Sequence, residues 1–403
     1  MEFEVVVKQF SLNLVTGGKM GFDSNGLTNS RIYLSPPNIS AMDIAEVVKS
    51  FESGWVAPVG PDIDSFENEV ASFVGRKFAV ALSSGTGALH LAYKAAGIKP
   101  GDEVVIPTMT FGATAFPISY IGARPVFIDV EPNTWTVDVG LMAEFLKKRA
   151  AINRLPAAVV AVDLYGVTCD YKNLIDVTSE YGIPIIADSA EALGATYLNE
   201  NAGKYGDSAV LSFNGNKIIT TSGGGMFLTD SKEVAGQVRY WATQSREPTP
   251  WYEHLDIGYN YRLSNILASL GRSQLNRIHN IVSHKREIRA QYSKLLTDVD
   301  GINVMGDPSW GKSNAWLTTI CMDTKIHPDG PKRVRIALER QNIESRPVWK
   351  PMHQQPIYRN EETFLTGASD SIFSQGLCLP SGISLGSGDI QRVVKILIEE
   401  LNS

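Results

Sequence analysis

The chain has 403 residues, 43% of them hydrophobic and 20% charged, the balance of a globular protein and not of a disordered one. Lys and Arg total 37 against 43 Asp and Glu, a net charge of -6, so no basic excess exists to neutralise nucleic-acid phosphates. No apolar run reaches the roughly 18–20 residues of a membrane helix. The opening Met-Glu-Phe-Glu lacks the layout of a signal peptide.

The three cysteines, Cys169, Cys321 and Cys378, are far apart and form no CxxC pair, and the six histidines show no metal-ligand spacing. A disulfide framework and a metal site are therefore not expected, and the cytoplasm is the expected setting.

Residues 1–31 do not read like the rest. Val5 to Val7 suit a short strand, but Gly17, Gly18, Gly21 and Gly26 break up the remainder of the stretch, so it is expected to be an N-terminal extension. Periodic structure begins at Ser40, where Ser40-x-x-Asp43 has the form of a capping box. Ile44, Val47, Val48 and Phe51 then recur at helical spacing, up to Gly54.

From residue 78 strand and helix patterns alternate. Strand-like runs are Phe78–Leu82, Glu103–Pro107, Pro125–Asp129, Ala158–Leu164, Pro184–Ala187, Ser208–Phe213 and Gly225–Thr229. Helical patterns lie at Ala88–Ala96, Leu141–Ala150 and Tyr171–Tyr181. Several runs are apolar nearly throughout, as in strands covered on both faces. The expectation is an α/β fold with a mainly parallel seven-stranded sheet. The last two runs have no helix between them, so one strand should be antiparallel. This large domain is expected over 32–285.

Residues 286–403 read as a smaller α+β domain. A helix near Lys285–Leu296 leads to a strand within Ala315–Met322, a helix near Lys332–Gln341, a strand Ile343–Trp349 and a closing helix Asp389–Leu401.

Gly306-Asp-Pro-Ser-Trp-Gly311-Lys312-Ser313 spells a nucleotide P-loop. Such a loop needs a helix directly after it, whereas Asn314 to Asp323 is rich in β-branched and aromatic residues and reads as a strand. The better anion site is Ser83-Ser84-Gly85-Thr86-Gly87, which comes after a strand and opens a helix. Small residues let the backbone approach an anion, and free helix amides and the Thr86 hydroxyl can donate to it. An ordinary capped helix after a turn would read the same way.

Three further residues stand at or just past strand ends: Phe111, Asp188 and Lys217. Ligands bind at the C-terminal ends of strands in α/β sheets. Pyridoxal phosphate (PLP) needs this set. Its aldehyde needs a lysine, its ring nitrogen a carboxylate, its ring face an aromatic, and its phosphate amides and hydroxyls. Taken singly, Asp188 could cap a turn, Lys217 could be solvated and Phe111 could be core. The joint arrangement favours the cofactor.

At this point the chain resembles the PLP-dependent sugar-nucleotide aminotransferases of the DegT/StrS group over roughly residues 32–402. The motifs are Gly54-Trp55 through Gly60, Ser84-Gly-Thr86, Asp188-Ser-Ala-Glu191, Ser212-Phe-Asn-Gly-Asn-Lys217, Gly258-Tyr-Asn-Tyr-Arg262 and Arg346-Pro-Val-Trp-Lys-Pro-Met-His353. The resemblance implies the type I, aspartate-aminotransferase-like fold. It implies Lys217 as the Schiff-base lysine and proton shuttle, Asp188 as the pyridinium partner, Phe111 as the stacking residue and Glu191 beside the ring. It further implies Gly85, Thr86 and Ser212 as phosphate binders. Asn260, with Arg262 two residues on, would reach the phosphate from the second subunit of a homodimer. Trp349 and His353 would face the substrate. Gly223 stands where many relatives carry a glutamate, so any role of that carboxylate is lost here.

Asn214 to Met226, Tyr252-Glu-His-Leu255 and Ser35-Pro-Pro37 are similar to one branch of that group. It implies transfer of the amino group of L-glutamate to C4 of UDP-2-acetamido-2,6-dideoxy-4-keto-hexose, with pyridoxamine phosphate as the intermediate cofactor form. The alternatives are a C3 or C4 aminotransferase acting on a dTDP- or GDP-keto sugar, an amino-acid aminotransferase in which Arg346 anchors a carboxylate, and a non-catalytic PLP-binding regulator. A dehydratase branch carries histidine in place of the lysine, and Lys217 argues against it. No nucleic-acid or membrane partner is expected.

Overall fold

The apolar runs become seven strands: β1 (Phe78–Leu82), β2 (Glu103–Pro107), β3 (Arg124–Ile128), β4 (Ala158–Val162), β5 (Ile185–Asp188), β6 (Ser208–Ser212) and β7 (Gly225–Thr229). The computed structural model describes residues 30–402, so the expected Val5–Val7 strand and most of the 1–31 extension lie outside the described residues. Strands β1 to β5 alternate with helices Gly85–Ala95, Gly112–Tyr120, Val139–Ala151 and Tyr171–Ser179. Their residues are buried almost throughout, which is why they read as continuous apolar runs.

The sheet order is β1-β7-β6-β5-β4-β2-β3, extended at the β3 edge by Thr363–Phe364. Strand β7 is antiparallel to both β1 and β6, as the missing helix before it requires, and the other pairings are parallel. The sheet thus has eight strands, one more than expected. The added segment is two residues long, too short for a periodic signal. Asp129, just past β3, holds it in place by accepting from the amides of Thr366 (2.8 Å), Gly367 (2.8 Å) and Ser369 (2.9 Å).

A second, antiparallel sheet runs Ile302–Val304, Thr318–Met322, Gly376–Leu379, Arg346–Pro347. Its own core includes Tyr292, Ile320, Leu338, Leu377 and Val393. The expected strand 343–349 shortens to Arg346–Pro347, since proline has no amide to donate to a ladder. The helix expected from Lys285 begins earlier, at Ile278.

Ser40 and Asp43 form the expected capping box, with Ser40 N donating to Asp43 Oδ2 at 2.7 Å and Asp43 N to Ser40 Oγ at 3.2 Å. The P-loop look-alike is a turn. Gly311–Lys312 pairs with Thr196–Tyr197, the Trp310 indole N–H donates to the Thr168 carbonyl at 3.0 Å, and the next element is the strand Thr318–Met322. No helix amides come after it to hold a phosphate.

Candidate active site

One cavity of about 290 Å³ lies where β1, β5 and β6 end, lined by Gly85, Thr86, Phe111, Asp188, Glu191, Ser212, Lys217, Trp316 and Trp349, with Thr110, Thr114, Asn214 and Asn216 among its other walls. Its floor is the turn from β1 into helix Gly85–Ala95. Ser84 Oγ caps that helix by accepting from Gly87 N at 3.0 Å. The first-turn amides of Gly85 and Thr86 have no carbonyl inside the helix to bond, and both residues face the cavity wall. A Cβ on Gly85 would sit 3.0 Å from Ser212 Cβ, and one on Gly225 would meet the Ser84 carbonyl carbon at 2.5 Å. Glycine at both positions lets three backbones converge into a cradle of amides and hydroxyls.

Asp188 ends β5 and is 5% exposed. Its Oδ2 accepts from Thr114 Oγ1 at 2.7 Å and its Oδ1 from Ala190 N at 3.2 Å. Burial raises its carboxyl above the ordinary range, and the Thr114 and Ala190 hydrogen bonds and the Lys217 charge only partly offset this. A cation placed against Asp188 would remove that cost. Phe111 lies just before helix Gly112–Tyr120, is half exposed, and has its ring 5.2 Å from that of Trp349.

Lys217 Nζ lies 3.4 Å from Glu191 Oε1 and 4.0 Å from the centre of the Trp316 ring. Glu191 Oε2 accepts from Tyr165 N at 2.8 Å. Burial raises the Glu191 carboxyl, while attraction to Lys217 acts the other way. Behind them Tyr165 stacks on Trp316 (6.2 Å, 18°) and on Trp349 (5.9 Å, 13°). Trp349 N donates to the Tyr165 hydroxyl at 2.8 Å. Tyr165 adopts a positive φ of 51°, a conformation that costs a non-glycine residue free energy.

Eight of the eleven residues singled out in the sequence (Gly85, Thr86, Phe111, Asp188, Glu191, Ser212, Lys217 and Trp349) line this cavity. Three do not. His353 Nδ1 is hydrogen-bonded to Thr108 Oγ1 at 2.7 Å, with its Nε2 3.1 Å from Asp370 Oδ1, and the residue ties the C-terminal loop to the end of β2. Arg262 donates to Glu67 Oε1 at 2.5 Å and to the Ala81 carbonyl at 3.1 Å, so within one chain it braces β1. Asn260 is exposed and accepts from Gln244 Nε2 at 3.0 Å. Sequence reasoning missed Thr114, Tyr165 and Trp316. Thr114 falls in the first turn after Phe111, a position that could have been checked; the other two carry no local signal. Gly223 lines the cavity as well, so that edge is bare backbone.

The donor set fits PLP. A buried carboxylate is left open on its cavity side, an amine stands across from it, and glycine-built backbone forms an anion cradle. The comparisons with known proteins agree. Residues 37–398 match the model of the DegT/DnrJ/EryC1/StrS aminotransferase family.

The chain belongs to that family.

The protein is thus a PLP-dependent sugar aminotransferase with the type I fold. It is 41% identical to EpsN of Bacillus subtilis (strain 168), named for pyridoxal phosphate-dependent aminotransferase activity, over 92% of this chain and 96% of that one. It is 34% identical to a GDP-perosamine synthase of Caulobacter vibrioides, over 92% and 98%. The structure of the aminotransferase TlmJ from Streptoalloteichus hindustanus superposes with a TM-score of 0.85 at 29% identity, covering 92% of this chain and 99% of that one. Among the described residues no helix is long and apolar enough to cross a membrane.

Proposed function

We propose that this aminotransferase moves the amino group of L-glutamate to C4 of UDP-2-acetamido-2,6-dideoxy-4-keto-hexose, with Lys217 as the catalytic amine. The observation that supports the cofactor chemistry is that Lys217, Asp188, Gly85 and Thr86 line one cavity, and the choice of sugar rests on the branch resemblance. Bound PLP supplies the electron sink that makes the α-hydrogen of an amino acid acidic. Asp188 would sit against the ring nitrogen and favour its protonated form. Gly85, Thr86 and Ser212 would hold the phosphate, and Phe111 would cover one ring face. Lys217 Nζ would be the amine that holds the cofactor and, once free, the base that takes the proton from the donor α-carbon. Glu191 lies close enough to Lys217 to hold it between steps.

The phosphate site is proposed to be completed by a second copy of the chain. Asn260 is exposed, and the preceding segment exposes Trp251, Tyr252, Leu255 and Ile257, an apolar run suited to burial in a dimer. Arg262 is committed to Glu67, which leaves Asn260 as the better reaching residue.

The test is the visible absorption of PLP-loaded protein. L-Glutamate should bleach the band, and UDP-2-acetamido-2,6-dideoxy-4-keto-glucose should restore it. A band restored only by a GDP-linked 4-keto-6-deoxy sugar supports the second reading, which the GDP-perosamine synthase relative favours. No bleaching by glutamate contradicts the donor assignment.

A further inference from the structure

Lys285 sits in helix Ile278–Leu296, 3% exposed, and among the described residues it is the one buried lysine. Among the described residues no carboxylate faces it. Its Nζ donates to the Trp316 carbonyl at 3.0 Å, the Ser381 carbonyl at 2.9 Å and Ser35 Oγ at 3.2 Å. Burial alone pushes its ammonium down to about 7. An ammonium taken out of water without a counter-charge is costly. Three neutral acceptors, one for each N–H, are what the ammonium form uses in full.

Two of those acceptors lead to one atom. Ser35 Oγ donates onward to the Asn216 carbonyl at 3.3 Å, and the Trp316 indole N–H donates to the same carbonyl at 2.6 Å. Asn216 is the residue before Lys217. The Trp316 ring also carries the Lys217 ammonium on its face, 4.0 Å from the ring centre. Lys285 therefore grips the main chain of the residue whose ring lies under Lys217, and the hydroxyl that helps fix the peptide entering Lys217. The third acceptor joins this to the second sheet. Ser381 Oγ accepts from Thr318 N at 2.8 Å, and Ser381 N donates to the Leu34 carbonyl at 2.6 Å.

We propose that Lys285 is a positioning residue for Lys217, acting through Ser35 and Trp316 on the Asn216 carbonyl and on the aromatic face beneath the Lys217 amine. It touches neither cofactor nor substrate. The inference rests on the assignment of Lys217 as the amine that holds PLP.

The test uses full-length Lys285→Met, which is unbranched like lysine and one atom shorter, and removes the three donors. The protein is freed of PLP and PLP is added back. Samples are reduced with borohydride at intervals, and the pyridoxyl adduct is located by peptide mass. Capture at Lys217 is expected to slow about tenfold, as a small misplacement of a reacting group can. The kcat of the reloaded variant should fall by a similar factor, with KM for L-glutamate within about twofold. A folded Lys285→Met that captures PLP on Lys217 at the wild-type rate overturns the proposal, because a merely structural lysine would lower the melting temperature and leave capture unchanged. A wild-type adduct on another residue would instead overturn the reading of Lys217 itself. If Lys285→Met does not fold, Ser35→Ala removes a single link. It should slow capture about threefold, and a wild-type rate there rejects the relay.

Discussion

Two groups of charged side chains in this fold are built differently. In the cavity, Asp188, Glu191 and Lys217 each have few partners inside the protein and open space on the remaining side. Outside it, Asp163, Glu67 and Lys285 are enclosed. Asp163 comes just after β4 as Asp188 ends β5, and its N–H donates to the Asp188 carbonyl at 3.0 Å. Yet its oxygens accept from Cys169 N (2.9 Å), Tyr171 Oη (2.9 Å) and Ser189 Oγ (2.6 Å), all supplied by the protein. Burial by itself does not mark chemistry. A buried charge with one side left to a ligand does, and a buried charge saturated from within is structural or positioning.

Substitutions in the two groups should separate along that line. The largest effect is expected from Lys217→Ala, which should lower turnover by about 10⁴-fold or more, as loss of a central reacting group does. Its thermal melting should stay near wild type, because the side chain's partners are one carboxylate and one ring face. Retention of even a tenth of the activity would move the chemistry elsewhere. Asp188→Asn keeps the shape and removes the charge. A loss of about 10²-fold in kcat is expected, comparable to removing one preorganised electrostatic contact, together with weaker PLP retention on dialysis. An unchanged kcat would place Asp188 among the enclosed charges.

In the other group the expected loss is stability. Glu67 Oε1 and Oε2 receive Arg262 and Arg239, and Oε1 also receives Ala81 N at 2.8 Å. Glu67→Gln should cost about 3 kcal/mol in denaturant unfolding. Most of this comes from the buried Arg262, since Arg239 is nearly half in solvent. A cost under about 1 kcal/mol would mean that Arg262 is free to serve the cofactor instead.

The smallest expected effect is a pH dependence. Burial raises Asp163 from an ordinary 3.8 to about 7. A carboxyl raised in the folded state stabilises the fold while protonated in both states. That contribution is present below about pH 4 and is lost as pH rises through about 7. The melting temperature of wild type relative to Asp163→Asn should therefore fall from about pH 4 to about pH 7 and level off above that. A constant difference over that range would show that Asp163 does not change its proton there.

The strands were legible because parallel strands buried on both faces leave continuous apolar runs, and Asp188 and Lys217 were legible as cavity candidates because they end or come just after such runs, whereas Ser212 came from the family resemblance. The Thr363–Phe364 strand was not, since two residues carry no period. The fates of Arg262 and His353 were hidden for a different reason. Glu67 lies 195 positions from Arg262, and Thr108 lies 245 from His353. Sheet order brings those partners together, and no local pattern encodes it. Trp316 and Tyr165 were invisible on the same ground: an aromatic in or beside a strand-like stretch reads as core until its distant neighbours, Lys217 for Trp316 and Glu191 for Tyr165, are known.

The measurement that bears most directly on the contrast between the two groups is where PLP attaches. Reduction of the loaded protein with borohydride, then peptide mapping, should place the pyridoxyl group on Lys217, the amine left open to the cavity, and leave the enclosed Lys285 unmodified. A pyridoxyl group on any other lysine, or none after loading with excess PLP, would contradict the account.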